Sequence, residues 1–460
     1  MATTSEELRS TLEDQVSVAV TIYNEDLALV KDRRRIELPA GRFDLAFRDV
    51  SARVKPETAI FRGLSPGADL SVIEQNFDFD LLTPEKLLEK FVGRRVGIVK
   101  THPTTGEETE EEAEVLSVAK GTVLRIGDRV VTGLSGRIVF REVPATLRDR
   151  PTLVMKLENG LAGSQELELA YLTGGLSWKA DYVGELSVDD TRLDLTGWVT
   201  LDNTSGTSYR NAQLQLVAGD VNRVEEPEAI RMGLLDSRAM AAAPAPMAEE
   251  ALFEYHLYTL EHPTTIADKQ SKQVALLRAQ SIPVHKELIF HGNDYYYRSN
   301  RGEIGVKLKA GVFVELDNRE ESNLGMPLPK GVVRIYKGDS QGNAQFVGED
   351  SIDHTPKNKT VRLKLGEAFD VTADKVQTDF KKLSGTGPWQ YQFESAYQIK
   401  VQNGKPDDVE VEVREPIPGD WKMLKESDSH KKASSDTASW RLQVPAEGET
   451  TLTYRVRVRF

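Results

Sequence analysis

The 460 residues exceed what one ordinary hydrophobic core covers, and the length predicts roughly three domains. Hydrophobic residues at 39% and charged residues at 28% are ordinary globular values, which excludes a disordered or fibrous chain. The net charge of -13 and the pI near 5.3 argue against nucleic acid as a partner, because a phosphate backbone requires a basic face.

From Val16, "VSVAVTIYN" alternates apolar and polar residues, and "LALVKDRRRIELPAG" resumes the pattern after Asn24-Glu25-Asp26. Period two predicts half-buried strands, and the basic run Arg33-Arg34-Arg35 reads as a solvated strand end. "TPEKLLEKFVG" carries helix punctuation: Thr83 as cap, Pro84 at the first helical position, Glu85 at the positive dipole end and Gly93 as the stop. We expect a helix over 84–92 that presents Leu87, Leu88 and Phe91 on one face. Short strands with glycine-containing turns follow, as in a small barrel or meander. The acidic run in "THPTTGEETEEEAEV" reads as a solvated hairpin tip.

Residues 16–150 are thus expected to form an N-terminal β-rich domain. Residues 151–223 alternate strictly over longer strands and read as a sandwich segment. The Ala-, Pro-, Met- and Glu-rich stretch over 224–250 has no period and reads as a linker or long loop. Strands return over 251–460, ending in "TTLTYRVRVRF", where Leu452, Tyr454, Val456 and Val458 alternate with Thr453, Arg455, Arg457 and Arg459. The expected fold class is mainly β: several antiparallel β-sandwich and small β-barrel units with one short helix.

Chemistry is sparse in this pattern. A nucleophile elbow needs glycine two residues on each side of its serine. Ser177 in "GLSWK" has Gly175 before it but Lys179 after it, and Ser135 in "GLSGR" has Gly133 before it but Arg137 after it. Both read as turn or strand-start serines. His285 and His291 share a strand parity, yet zinc needs further ligands, so they read as surface histidines. Asp78 and Asp80 in "NFDFD" are spaced like paired carboxylates on one strand face, and a solvated strand end is the favoured reading. No phosphate-cradling glycine motif occurs. In "DYYYRSN", strand alternation would place Tyr295 and Tyr297 on one face as a stacking platform for a sugar, with Tyr296 on the other. Trp178, Trp198, Trp389, Trp421 and Trp440 read as sandwich-core residues. No catalytic residue, metal site or cofactor is assigned.

The chain has no cysteine, which excludes disulfides and thiolate chemistry and suits an exported protein. No window approaches the ~20 apolar residues that span a bilayer. "MATTSEELRSTLEDQ" lacks the charged start and apolar stretch of a secretory signal. Two compartments therefore fit: the cytoplasm, or the periplasm or exterior with Met1 in place of a removed signal.

The segments "IEQNFDFDLLTPEKLLEKFVG", "GRIVF", "LTGGLSWKADYVGEL", "GWVTLDNTSGTSYRNAQLQLVAGDVN", "MPLPKGVVRIY" and "EPIPGDWKM" resemble the bacterial family known as domain of unknown function 4139, loosely related to mucoidy-inhibitor-A-like proteins. The resemblance covers most of 16–460 and implies an exported β-rich protein without assigned catalysis. The expected function is a non-enzymatic secreted or cell-envelope scaffold that engages protein partners or itself. A carbohydrate-binding module and a hydrolase using Asp78 and Asp80 are the alternatives.

Overall fold

The computed structural model describes residues 7–460 apart from 25, 68, 79, 134–135, 145–146, 220, 223–246 and 385–390. Most of the stretch expected as a linker, and Trp389 and Ser135, lie outside the described residues. Strands dominate, and among the described residues Pro84–Lys90 is the one α-helix. Its punctuation works as the sequence implies. The Thr83 hydroxyl accepts the Lys86 N–H at 3.2 Å, and Gly93 takes the left-handed conformation at φ 78°. Leu87, Leu88 and Phe91 pack on Val96, Ile98 and Val115.

The chain divides into two compact units: Met1–Trp178 with Leu201–Ile230 and Ala248–Lys272, and Lys179–Thr200 with Arg231–Met247 and Gln273–Phe460. The first contains three open sheets. Thr152–Asn159, expected to open a new domain, instead runs antiparallel between Gly41–Arg48 and Leu70–Asp78. Residues 248–250, expected in the linker, belong to the strand Ala248–Leu252, which pairs with Tyr255–Thr259.

Two expectations for charged runs are corrected here. Arg34 is fully buried, not solvated, because alternation along Leu27–Leu38 turns every second side chain inward. Its flanking residues Arg33 and Arg35 face outward and pair with Glu168 and Glu166. The acids of the "EETEEE" run, apart from Glu107, also lie along a strand, Glu108–Ser117, instead of at a hairpin tip. There Glu108, Glu111, Glu112 and Glu114 meet Arg137, Lys100, Arg95 and Arg125 across the sheet. This five-stranded sheet runs from Arg129–Thr132 to Arg137–Val139 and stays open, so it is a meander and not a barrel.

One large sheet, most of whose residues belong to the second unit, begins at Ala344–Ile352 and passes through Gly331–Gly338, Leu176–Leu186, Arg192–Asn203, Gln270–His291 and Glu303–Asn318 to Lys359–Ser384. It curls as it goes. Gly348 of the first strand lies so close to the Leu365 carbonyl that a Cβ would sit 2.1 Å from its oxygen, and the Asp350 carboxylate accepts the Lys364 N–H at 2.7 Å. The two ends of the seven strands thus meet through a glycine contact and a side chain in place of a backbone ladder, and the sheet remains unclosed.

Beyond Lys359–Ser384 the sheet continues through Tyr391–Asn403 and Glu449–Arg459 to Asp420–Glu426. Leu452, Tyr454, Val456 and Val458 are buried, as their alternation predicts. Trp440 stacks on Tyr454 at 4.8 Å and Tyr454 on Tyr397 at 5.0 Å, so aromatic rings form the centre of this core.

Candidate functional site

Ser177 occupies the second position of the strand Leu176–Leu186. Gly175 makes the preceding turn at φ 82° and donates its N–H to the Asp26 carboxylate at 2.6 Å. Trp178, Ala180 and Tyr182 are buried, while Lys179 is exposed. The serine is part of a pleated surface. Ser177→Ala is therefore expected to leave the thermal midpoint and any turnover within experimental error of the parent, and loss of a catalysed reaction in that variant would contradict the placement.

Asp78 and Asp80 do not share a strand face. Asp78 ends the strand Leu70–Asp78 and receives Arg148 Nε at 2.8 Å, whereas Asp80 lies past the strand end and pairs with Lys90 at 2.8 Å. The Lys90 hydrogen bond holds the Asp80 carboxyl below its ordinary range. That is the wrong direction for a general acid, which needs a raised pKa. His285 and His291 both sit exposed on Gln270–His291. Among the described residues, no three His, Asp or Glu side chains come close enough to share a metal ion.

The tyrosine run departs most from expectation. Asp294–Arg298 is a 3-10 helix, not a strand, so successive side chains do not alternate between two faces. Tyr297 is fully buried, with its hydroxyl donating to Glu415 at 3.0 Å. Tyr295 is 47% exposed, and the Arg301 guanidinium lies 4.9 Å from its ring centre. The two therefore form no common platform.

What the fold does assemble is a mouth at one end of the curled sheet. Leu186, Val312, Val314, Val347 and Leu365 line a cavity of about 190 Å³ there, together with Lys286 and Lys337. Asp190 stands between the two lysines. It occupies the turn after Leu186 in the left-handed conformation at φ 60°, and the turn is tied by Ser187, whose hydroxyl accepts the Arg192 N–H at 2.9 Å. Its carboxylate accepts Lys286 Nζ at 2.6 Å and also Lys337 Nζ. Burial pushes the Asp190 carboxyl up, but the hydrogen bonds from Lys286 and Lys337 outweigh it and leave the group below its ordinary 3.8.

Each ammonium keeps donors beyond the one given to Asp190. Nearby, Lys405 makes no ion pair among the described residues, and its ammonium is lowered by burial and by the charge of Lys286. The arrangement is an apolar floor with a rim of mixed charge, Lys286 and Lys337 beside Asp190 and Glu367.

A pH dependence follows from the depressed Asp190 value. The stabilisation is fully present above the ordinary aspartate range and is lost as pH falls through the lower folded value. Acid titration of stability should lose part of its slope below pH ~4 in Asp190→Asn; an unchanged slope would show that the pairs contribute nothing.

Residues 167–460 match the family described as domain of unknown function (DUF4139). The chain belongs to the DUF4139 family. Among curated proteins no relative matches. The DUF4139 match takes in the mouth and the aromatic core, while "IEQNFDFDLLTPEKLLEKFVG" and "GRIVF" lie before its start. Sequence reasoning did not find Asp190, Lys286 or Lys337. The one local signal was the Asp189-Asp190 turn between two alternating strands, and the lysines reach it only through strand order.

Proposed function

We propose that this protein is a non-enzymatic, β-rich interaction protein of the cell envelope or exterior, whose partner engages the mouth of the curled sheet. The observation that carries the reading is the pairing of two lysines with one carboxylate above an apolar floor. Such a site suits a partner that sets apolar surface on the floor and offers an acceptor to the remaining ammonium hydrogens. The ion-paired state of Asp78 and Asp80 supports the non-enzymatic side of the reading, and the absence of cysteine supports the location.

Capture from envelope fractions tests it, using the full chain and a Lys286→Glu/Lys337→Glu variant. The parent is expected to retain a partner, or to show self-association by light scattering over a dilution series, and the variant to lose it. A monomer that captures nothing, or capture unaffected by the charge reversal, counts against the mouth.

A glycan-binding role is the second reading, favoured by one observation: Tyr295 is exposed with Arg301 against its ring. A glycan array in which binding disappears in Tyr295→Ala would move the site to that tyrosine.

A further inference from the structure

The core of the second unit holds a lysine and a glutamate in unusually dry contact. Lys375 lies on Lys359–Ser384 and Glu415 on Val409–Pro416, strands that pair with different neighbours. Their side chains are 3% and 2% exposed. Lys375 Nζ reaches both carboxylate oxygens, Oε1 at 2.6 Å and Oε2 at 2.5 Å, so the fold holds the nitrogen against the carboxyl group.

Aromatic rings enclose the pair. The Tyr296 and Tyr397 ring centres stand 4.4 and 5.3 Å from Nζ. The Tyr297 hydroxyl donates to Oε2, and the Tyr454 hydroxyl lies 2.9 Å behind it. Position 292 is glycine, where a Cβ would sit 2.0 Å from Oε2.

We propose that Lys375 and Glu415 condense into an intramolecular amide cross-link. In water an ammonium and a carboxylate resist condensation because both ions are well solvated. A site that strips water from both removes that advantage, since proton transfer within the pair leaves a neutral amine beside a neutral acid. Contact fixed by the fold replaces the encounter that makes the reaction slow between free molecules.

The balance is simple. The Nζ lone pair forms a bond to Glu415 Cδ and one C–O bond breaks. The departing oxygen leaves as water, carrying the acid proton and one amine proton handed over directly at the contact between Nζ and the carboxyl oxygens. No oxidant is consumed. Burial above all holds the Tyr297 hydroxyl protonated far beyond neutral pH, which keeps a donor at that oxygen. Burial also pushes the Lys375 ammonium down. The product would tie two strands of a chain that has no cysteine for a disulfide.

Intact-mass spectrometry of the full chain, folded and then denatured, tests the bond. The expected mass is one water below that of the sequence, with a protease fragment linking the peptides that contain Lys375 and Glu415. Lys375→Met should restore the full sequence mass for that variant. A parent protein at its full sequence mass overturns the proposal and leaves an ion pair. So does a water loss that maps to other residues. Neither result bears on whether the mouth binds a partner.

Discussion

Glu415→Ala is expected to destabilise the second unit by about 3–5 kcal/mol, because the variant leaves a buried lysine without its partner whether the parent joins the two by an ion pair or by an amide. The variant strands Lys375 without its carboxylate, 3% exposed among tyrosine rings. It also takes away the acceptor of the Tyr297 hydroxyl, and through it disturbs the Tyr297–Tyr454 contact at 2.9 Å. Near-UV circular dichroism should report the change first, because Tyr454 lies between the stacked rings of Trp440 and Tyr397. A loss below about 1 kcal/mol in urea would place the pair among weakly contributing surface contacts and contradict its burial.

Arg34→Met is expected to have a comparable effect in the first unit, again about 3–5 kcal/mol. Arg34 is fully buried and donates to Asp32 at 2.8 Å and to the Arg48 carbonyl at 2.7 Å. Its guanidinium also stands 3.7 Å from the Phe47 ring centre. Methionine fills much of the volume but leaves the nearly buried Asp32 side chain without its guanidinium and held mainly by Gln15. Lysine should recover only part of the loss, since a point charge cannot reproduce the planar fork. Hydrogen exchange along Leu27–Leu38 separates this effect from any change in the second unit. Protection equal to that of the parent would show that the arginine is dispensable.

Both pairs show how far the sequence could be read. Alternation made the strands legible, down to the inward set Leu452, Tyr454, Val456 and Val458, and the caps of "TPEKLLEKFVG" made the helix legible. The same period of two places Arg34 opposite in facing to Arg33 and Arg35. Reading the three as one basic run hid it, because charge was weighed before parity. The tyrosine run failed for another reason: Asn293 and Asp294 begin a 3-10 turn, and a local turn overrides the strand period.

Ladder partners were the least legible. Thr152–Asn159 sits between strands more than a hundred residues earlier in part, and nothing in its own residues specifies Gly41–Arg48 as its neighbour. The mouth was invisible for the same reason. Asp190 is an ordinary turn residue, and Lys286 and Lys337 are ordinary strand residues, until strand order brings them together.

The carboxylates that the sequence offers for chemistry, Asp78 and Asp80, are consumed in structural ion pairs. Asp80 tests this most directly, being the carboxylate that the sequence offers for hydrolysis and the structure gives to Lys90. Purified full-length protein should turn over no glycosidic or ester substrate above background, with Asp80→Asn indistinguishable from the parent. Saturable turnover by the parent that disappears in Asp80→Asn would contradict the account.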